Sequence, residues 1–393
     1  MRRQPTRVAA VVAALALTLW GCGGGEGDSA APAGSAASEA AGEATEQANN
    51  LVQAFQDDPQ ELGLDPIEPP DYAQEIRTVD TSQYALEGNP RIAFAIQAPE
   101  FSWPVTYNEA VQAHQQEAYP DAELILSPTG LGEADTQIAA IEDLLVQQPD
   151  ALIITPLTDV RGPVEQAAAE GVPVILCTGT AETDAYVTRV DRDNFLNGAL
   201  GASWVVEKLG GQGQIVMLSG PAGVPTAEAR IEGAMSVFEQ NPDIEVLAQE
   251  NTNWDAASGK TVMQSMLTRF DQIDAVWSDV AGQAIGAIEA FKDAGREIPP
   301  FAAEPQNGFL RLADEEGFEF VAVGYPPSHS ADCLDAAMEV LSGEPVPSFI
   351  NVEVPLFDTE ELGEWYRPEC VDDLWLPTPF SDEELVGQEL CES

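Results

Sequence analysis

The chain has 393 residues, of which 67 are Asp or Glu and 16 are Lys or Arg, so its formal net charge at pH 7 is −51. This balance excludes nucleic-acid binding, because no basic surface is available to displace the counterions of the phosphate backbone. Such an excess of acid is typical of proteins from salt-rich surroundings, where screening weakens self-repulsion, and it fits an ordinary acidic secreted protein equally well.

The first 21 residues have the pattern of a secretory signal peptide. Three arginines among the first seven residues precede an apolar run over 8–20, which is shorter than the roughly 20 residues of a membrane span. The next residues, "LWGC" at 19–22, resemble the lipobox of bacterial lipoproteins. The resemblance implies cleavage before Cys22 and lipidation of its sulfur; the alternative is an ordinary signal peptide in which Cys22 occurs by chance.

Residues 22–87 are predicted to be an acylated cysteine followed by a flexible acidic linker. The stretch 23–47 consists almost entirely of Gly, Ala, Ser, Glu and Pro, and such a composition buries too little apolar surface to become ordered. The lipoprotein resemblance implies a diacylglyceryl group on Cys22. Stable anchoring needs more than one acyl chain, so this group predicts attachment to the outer face of the cell membrane.

Four further cysteines are candidates for disulfide bonds outside the cytoplasm: Cys177, Cys333, Cys370 and Cys391. Four cysteines allow three pairings. Cys370 and Cys391 bracket the C-terminal tail and are the first candidates for a bridge, whereas Cys177 ends the apolar run "VPVILC" and is a candidate buried thiol. No pair has the spacing of metal ligands, so we predict neither a metal site nor a cofactor.

From Pro90 onward, strand-like and helix-like segments alternate. In chain order the strand-like runs are "RIAFAIQ", "AELILS", "ALIITP", "VPVILC", "QIVMLS", "IEVLAQ", "AVWS", "FEFVAVG" and "INVEVPLF". Strands separated by helices of about 10–15 residues are typical of a parallel sheet. Because the alternation restarts after "DNFLNGALGASWVVEKLG", we predict an α/β protein with two doubly wound lobes. Ligands of such sheets bind outside the carboxyl ends of the strands, which places a cleft between the lobes.

The order of these segments resembles the type I periplasmic binding proteins of sugar ABC transporters, in their ribose-binding branch, over about 90–356. The stretches that carry the resemblance are "ITPLTDVRGPVEQAAAEGVPVI", "VDRDNFLNGALGA", "LSGPAGVPTAEARIEGAMSVF" and "NTNWDAASGKTVMQSML". The resemblance implies a hinge of three chain crossings between the lobes, near Lys208, near 324–326 and near 343–345.

These crossings imply an assignment of the chain to two lobes. The N-terminal lobe would comprise 88–207 and 326–342, and the C-terminal lobe 208–324 and 345–357. Residues 358–393 go beyond the ribose-type proteins and are predicted to form a C-terminal extension.

A sugar site needs aromatic faces for the C–H surface of the ring and fixed polar groups for its hydroxyls. The resemblance places stacking aromatics at Phe101 and Trp103 after the first strand, and at Trp254 on the opposite lobe. It places a ligand-binding arginine at Arg230, whose fork can hold two neighbouring oxygens.

Several polar positions depart from the ribose-type pattern. The family's Asp-Arg after "PVILC" is replaced here by Thr178 and Gly179. Its later polar positions fall on or beside Asp279, Glu304 and Tyr325. We therefore include these three residues in the predicted ligand site and expect a ligand other than ribose.

An enzyme is the competing class of function. The only histidines are His114 and His329, and neither has a visible nucleophile partner, so no catalytic residue is predicted. A transcription regulator of this fold would need a DNA-binding helix-turn-helix where the signal and linker stand.

The sequence as a whole predicts an extracytoplasmic, lipid-anchored, monomeric binding protein. It would capture a small carbohydrate-like solute between two lobes and deliver it to an ABC permease. The alternative is a sensing module that presents a sugar, polyol or autoinducer to a membrane receptor kinase or chemoreceptor.

Overall fold

The computed structural model describes residues 51–392, so the predicted signal peptide and Cys22 lie outside the described residues. Two six-stranded sheets form the body, with helices on both faces of each. The prediction of two doubly wound parallel-sheet lobes is confirmed. Among residues 51–392, no helix is both long and apolar enough to cross a bilayer.

The sheet of the first lobe is parallel throughout. Its strands, in sheet order, are β13 (Phe349–Asn351), β6 (Thr188–Asp191), β5 (Val174–Cys177), β4 (Ala151–Ile154), β2 (Arg91–Gln97) and β3 (Glu123–Thr129). Its helices are α2 (Ser102–Ala118), α3 (Ala134–Val146), α4 (Arg161–Glu170) and α10 (Ser330–Ser342). Every residue of β4 and β5 is buried, since helices cover both faces of the sheet, and both strands therefore read as continuous apolar runs.

The sheet of the second lobe is parallel except for one edge strand, which is antiparallel to its neighbour. In sheet order its strands are β14 (Leu356–Asp358), β11 (Phe320–Val323), β10 (Phe301–Ala303), β9 (Ala275–Ser278), β7 (Gly213–Ser219) and β8 (Ile244–Asn251). Its helices are α5 (Asn194–Lys208), α6 (Pro225–Phe238), α7 (Ala256–Arg269), α8 (Ala281–Ala294) and α9 (Asn307–Glu316).

The chain crosses between the lobes at 192–193, 324–326 and 352–355. The predicted crossing at 324–326 is correct, whereas those near Lys208 and near 343–345 are wrong. Helix α5, which ends at Lys208, packs on the second sheet rather than the first. Strand β13 pairs with β6 of the first lobe before the chain returns as β14. Short apolar runs do not show which sheet they join, because both sheets have the same hydrophobic pattern.

Residues 51–87 belong to the folded body, so the prediction of a flexible linker is wrong for this part of it. Helix α1 covers 51–61 and buries Leu51 and Phe55 in one apolar cluster with residues of α5 and α6. Strand β1 (Thr78–Val79) pairs with β12 (Val346–Pro347). The apolar residues at positions i and i+4 in α1 are the local signal for this packing.

Two disulfide bonds are present among the described residues. Cys177 at the end of β5 is bonded to Cys333 in α10, so the prediction of a buried thiol at Cys177 is wrong. The predicted bridge between Cys370 and Cys391 is confirmed, and it closes a loop within the C-terminal extension. That extension also contains α11 (Leu362–Trp365) and α12 (Asp382–Gly387).

Candidate functional site

A cleft with about 540 Å³ of space free of protein atoms, part of it open to solvent, lies between the carboxyl ends of the two sheets. Six of the seven predicted ligand residues line it: Phe101, Trp103, Arg230, Trp254, Glu304 and Tyr325. The lobes are in contact across it, since Thr226 of α6 donates a hydrogen bond to the carbonyl oxygen of Thr178, 2.9 Å away.

The two predicted aromatics of the first lobe differ in how much ring surface they offer. Trp103 stacks on Tyr107, with ring centroids 4.8 Å apart, and its Nε1 donates to the carbonyl oxygen of Tyr325 at 2.9 Å. Phe101 is only partly buried and makes no ring contact with another described aromatic. Phe101 is therefore the freer of the two for stacking on a ligand.

Trp254 enters the cleft from the second lobe, three residues after the end of β8. Its backbone has φ of +62°, a value that is costly for a bulky residue and occurs mostly at functional sites. Its ring packs closely against Gly220, where an added Cβ would come within 2.1 Å of the indole. Its Nε1 donates to both oxygens of Asp279, each 3.2 Å away. The indole is thus held by backbone contact and by a carboxylate.

Asp279 is the one predicted ligand residue that does not line the cleft. Its carboxylate accepts hydrogen bonds from the backbone N–H of Gly220, from Gln283 and from Trp254. With its oxygens engaged inside the protein, Asp279 positions Trp254 rather than facing a ligand. Burial raises the pKa of this carboxyl, against the opposing effect of the Arg230 charge.

Arg230 lies at the centre of the cleft floor and is 1% exposed. Its Nε donates to Asn194 at 2.9 Å, and its Nη1 donates to Glu304 at 2.9 Å and to the carbonyl oxygen of Asp279 at 2.7 Å. The guanidinium carbon lies 4.4 Å from the centroid of the Tyr325 ring. Its Nη2 makes no hydrogen bond with any described residue, which leaves one donor group for a ligand.

Two other lining residues also have unused polar atoms. Nε2 of Gln97 and Oε2 of Glu304 are buried, and neither has a hydrogen-bond partner among the described residues. Burial raises the pKa of the Glu304 carboxyl above its usual range, against the opposing charge of Arg230. Buried polar atoms are almost always satisfied in folded proteins, so these atoms indicate positions for ligand hydroxyls.

Tyr325 forms a wall between the cleft and the interior. Its hydroxyl donates to Asp191, whose pKa is raised to about 7 by burial, while Arg189 and the Tyr325 hydrogen bond favour the carboxylate. The Tyr325 ring packs beside Trp103 and His329. This packing fixes the ring that lies under the guanidinium of Arg230.

The two histidines lie outside the cleft. His329 is buried among aromatic rings, and its Nδ1 bonds the carbonyl oxygen of Pro326 at 2.6 Å. Burial lowers the pKa of His329 to about 4. His114 contacts Asp335 on the surface, at 2.6 Å. Within 51–392, no group of three or more His, Cys, Asp or Glu side chains could hold a metal ion.

Sequence reasoning missed several lining residues. They are Gln97, Thr155, Pro156, Leu157, Thr178, Val224, Thr226, Val280 and Trp375. Three of them, Gln97, Thr155 and Thr178, end or directly follow a strand, so the rule that ligands bind at strand ends could have found them. No local signal points to Trp375, because it arrives from the C-terminal extension.

The fold has two doubly wound lobes, and they meet at a cleft lined by aromatic rings and a buried arginine. These features are typical of the class of solute-binding proteins. Residues 92–345 match the family described as periplasmic binding protein domain, and the chain belongs to this family. Membership implies an extracytoplasmic location for the folded part.

Individual relatives are solute-binding proteins. The ribose import binding protein of Bacillus subtilis is 27% identical over 226 residues, which cover 57% of this chain and 73% of that protein. The xylitol-binding protein of Mycolicibacterium smegmatis is 33% identical over 171 residues, or 43% of this chain and 49% of that protein. Among solved structures, the fructose-binding periplasmic domain of a hybrid two-component system superposes with a TM-score of 0.63 at 26% identity, over 70% of this chain and 93% of that one.

Proposed function

We propose that this protein captures a small sugar or polyol in the interlobe cleft and delivers it to an ABC permease. It would act as a monomer outside the cytoplasm, anchored to the membrane through a lipidated Cys22. Closure of the two lobes buries the solute, and the closed form is what the permease recognises.

The observation that carries this proposal is the combination of free aromatic surface and unpaired buried polar atoms in one cleft. Phe101 and Trp254 offer apolar surface from opposite lobes. The unpaired Nε2 of Gln97 and Oε2 of Glu304 provide a donor and an acceptor for hydroxyl groups. A ligand with C–H faces and a fringe of hydroxyls matches both requirements.

The relatives support the same ligand class. One is described as binding ribose, one xylitol and one fructose, all of them small and rich in hydroxyl groups. The replacement of half of the ribose-type polar positions, including Thr178 and Gly179, favours a solute other than ribose.

The test is thermal unfolding and calorimetric titration of residues 50–393 against D-ribose, xylitol, D-fructose, D-allose and myo-inositol. A ligand that binds only the folded state raises the free energy of unfolding by about 2.7 kcal/mol at a hundredfold excess over its Kd. A saturable shift with one compound would support the proposal and identify the cargo. No binding across the panel would overturn the sugar and polyol assignment.

A sensing role is the second candidate, and the fructose-binding domain of a two-component system is the observation that favours it. A gene deletion in cells distinguishes the transport role from the sensing role. Loss of a transporter component abolishes uptake of the labelled solute, whereas loss of a sensor abolishes the transcriptional response and leaves uptake intact.

The lipid anchor has its own test. Wild-type protein should partition into the detergent phase and carry a diacylglyceryl mass on Cys22, and the Cys22→Ser variant should be released from the cells. Equal release of both proteins would contradict the anchor without affecting the binding proposal.

A further inference from the structure

One attachment of the C-terminal extension to the second lobe is at the start of α9. The side-chain Nδ2 of Asn307 donates to three backbone carbonyl oxygens of the extension, at 2.9–3.2 Å. Arg311 forms a two-pronged ion pair with Asp372, at 2.8 and 2.9 Å. The Cys370–Cys391 bridge closes the loop that follows. The segment between these attachments is thereby held in one position over the cleft.

This segment carries Trp375 into the cleft. Trp375 is 5% exposed and is one of the lining residues. Its Nε1 donates to Oγ of Ser102 at 3.0 Å, and Ser102 begins α2 of the first lobe. Gln306, next to Trp375 in an isolated backbone bridge, donates to the same Oγ at 3.2 Å. The extension is thus fixed to one lobe and touches the other at the cleft margin.

The hydrogen bond between Trp375 and Ser102 determines which atoms of the indole remain available to a ligand. The indole has a single polar atom, Nε1, and Ser102 already accepts its hydrogen. Only apolar ring atoms are left to face the cleft, and no other described aromatic ring packs on them. Trp375 therefore adds an apolar wall that favours C–H surface on that side of a ligand and disfavours a hydroxyl there, which would be buried without a partner.

We propose that Trp375 is a specificity-determining residue of the solute site, delivered by the disulfide-closed extension and held in place by Ser102. This inference rests on the proposed function of the cleft. It adds to that function a third aromatic contact, from a part of the chain that lies outside the two lobes.

The experiment measures Kd for the five compounds named above with wild-type protein, Trp375→Ala, Trp375→Phe and Ser102→Ala. We expect Trp375→Ala to weaken binding of the best ligand by about tenfold, which corresponds to about 1.4 kcal/mol, because the variant loses both the aromatic contact and the apolar area it buries. The affinity ratio between the best and second-best compounds should also fall. Trp375→Phe should be intermediate, and Ser102→Ala should weaken binding although Trp375 is intact.

Trp365→Phe is the matched control. Trp365 lies in the same extension and stacks on Phe357 at 4.6 Å, but it does not line the cleft. Ser102→Thr keeps the acceptor oxygen and should restore affinity, which separates positioning of Trp375 from a general loss of structure. Melting curves of all variants show whether the fold persists.

The outcomes separate the two claims. If wild-type protein binds one compound and the Trp375 and Ser102 variants match the Trp365→Phe control in affinity and ranking, Trp375 has no such role and the binding function stands. If wild-type protein binds none of the compounds, the proposed function fails and this inference fails with it.

Discussion

Trp254 shows how neighbours of unlike chemistry hold one side chain in a binding geometry. The indole packs against Gly220 and donates a hydrogen bond to Asp279. The backbone of Trp254 is in the left-handed region. Such a conformation has a cost of about 1–3 kcal/mol that the surrounding contacts offset. The Trp254 ring is therefore held in place independently of a ligand, which reduces the entropy lost on binding.

Variants that remove or displace the central groups of the cleft should weaken solute binding. Trp254→Ala and Arg230→Ala are each expected to cost about 1–3 kcal/mol of binding free energy, through a lost stacking surface or buried hydrogen bond. Gly220→Ala should weaken binding as well, since its Cβ would lie 2.1 Å from the Trp254 ring. Isothermal titration gives the affinities.

Gly162→Ala is the control for these variants, because an added Cβ there meets nothing within 4 Å. Its affinity should equal that of wild-type protein. Unchanged affinity in Trp254→Ala, Arg230→Ala and Gly220→Ala alike would contradict this assignment of the site, though not the fold.

His329 should make stability depend on pH in a defined window. Burial lowers its pKa to about 4 in the folded state, whereas an unfolded histidine titrates near 6.5. Between these values the unfolded chain binds more protons, so this contribution to stability is present above pH 6.5 and is lost as the pH falls toward 4. The loss amounts to about 3 kcal/mol.

The measurement compares the free energy of unfolding of wild-type protein and His329→Asn by urea denaturation at several pH values. Buried carboxyls such as Asp191 titrate in both proteins, so their effects largely cancel in the difference. Wild-type protein should lose stability relative to the variant as the pH falls from 7 to 4. Parallel pH profiles would contradict a neutral, buried His329.

At the level of secondary-structure elements, helix α1 and the first crossing form one unit. Nη1 of Arg192, in the crossing, lies 2.6 Å from Oδ2 of Asp58 in α1. Arg192 is 2% exposed, so this ion pair is largely shielded from solvent. The segment that leads toward the predicted membrane anchor is thus attached to the hinge as well as to the second lobe.

Phe55→Ala should test whether α1 is an integral part of the fold. Phe55 is fully buried, and truncation of a buried phenylalanine typically costs about 3–5 kcal/mol. Gln53→Ala, at an exposed position of the same helix, should change the free energy of unfolding by less than about 0.5 kcal/mol. Equal stability of the two variants in urea denaturation would show that α1 contributes nothing to the folded body.

At the level of the whole molecule, the dominant physical fact is charge. A net charge of −51 on 393 residues makes the compact state repel itself. The described basic residues are used mainly in ion pairs, for example Lys260 with Glu289 and Asp293. These pairs neutralise only a fraction of the acidic surface, so screening by salt is the remaining way to reduce the repulsion.

Stability should therefore rise with ionic strength. The Debye length falls from about 30 Å at 0.01 M salt to about 8 Å at 0.15 M, which removes most of the repulsion between distant carboxylates. The melting temperature should increase steeply over this range of NaCl concentration. Sucrose at equal osmolality is the control for solvent exclusion. A melting temperature that stays constant as the NaCl concentration rises would show that charge repulsion contributes little to stability.

Much of the fold and part of the site could be predicted from the sequence. The order of strands and helices follows from local hydrophobic periodicity, and the family resemblance placed Phe101, Trp254 and Glu304 in one cleft. The same resemblance pointed to Arg230, which the structure shows buried there. Each of these features depends on residues that are neighbours in the chain or that occur in a fixed order along it.

Other features depended on contacts between distant parts of the chain. Strand β13 joins the first sheet by pairing with β6, which places the last crossing after 351 instead of near 343–345. Helix α5 packs on the second sheet, which places the first crossing before this helix instead of near Lys208. Residues 51–87 are ordered because the second lobe offers an apolar surface for Leu51 and Phe55. Trp375 reaches the cleft because Asn307 holds the extension at Cys370 and Ser102 accepts a hydrogen bond from Trp375 Nε1, and no local pattern encodes either contact. Periodicity determines what each segment becomes, whereas the partner that a segment buries its surface against emerges only when the whole chain is packed.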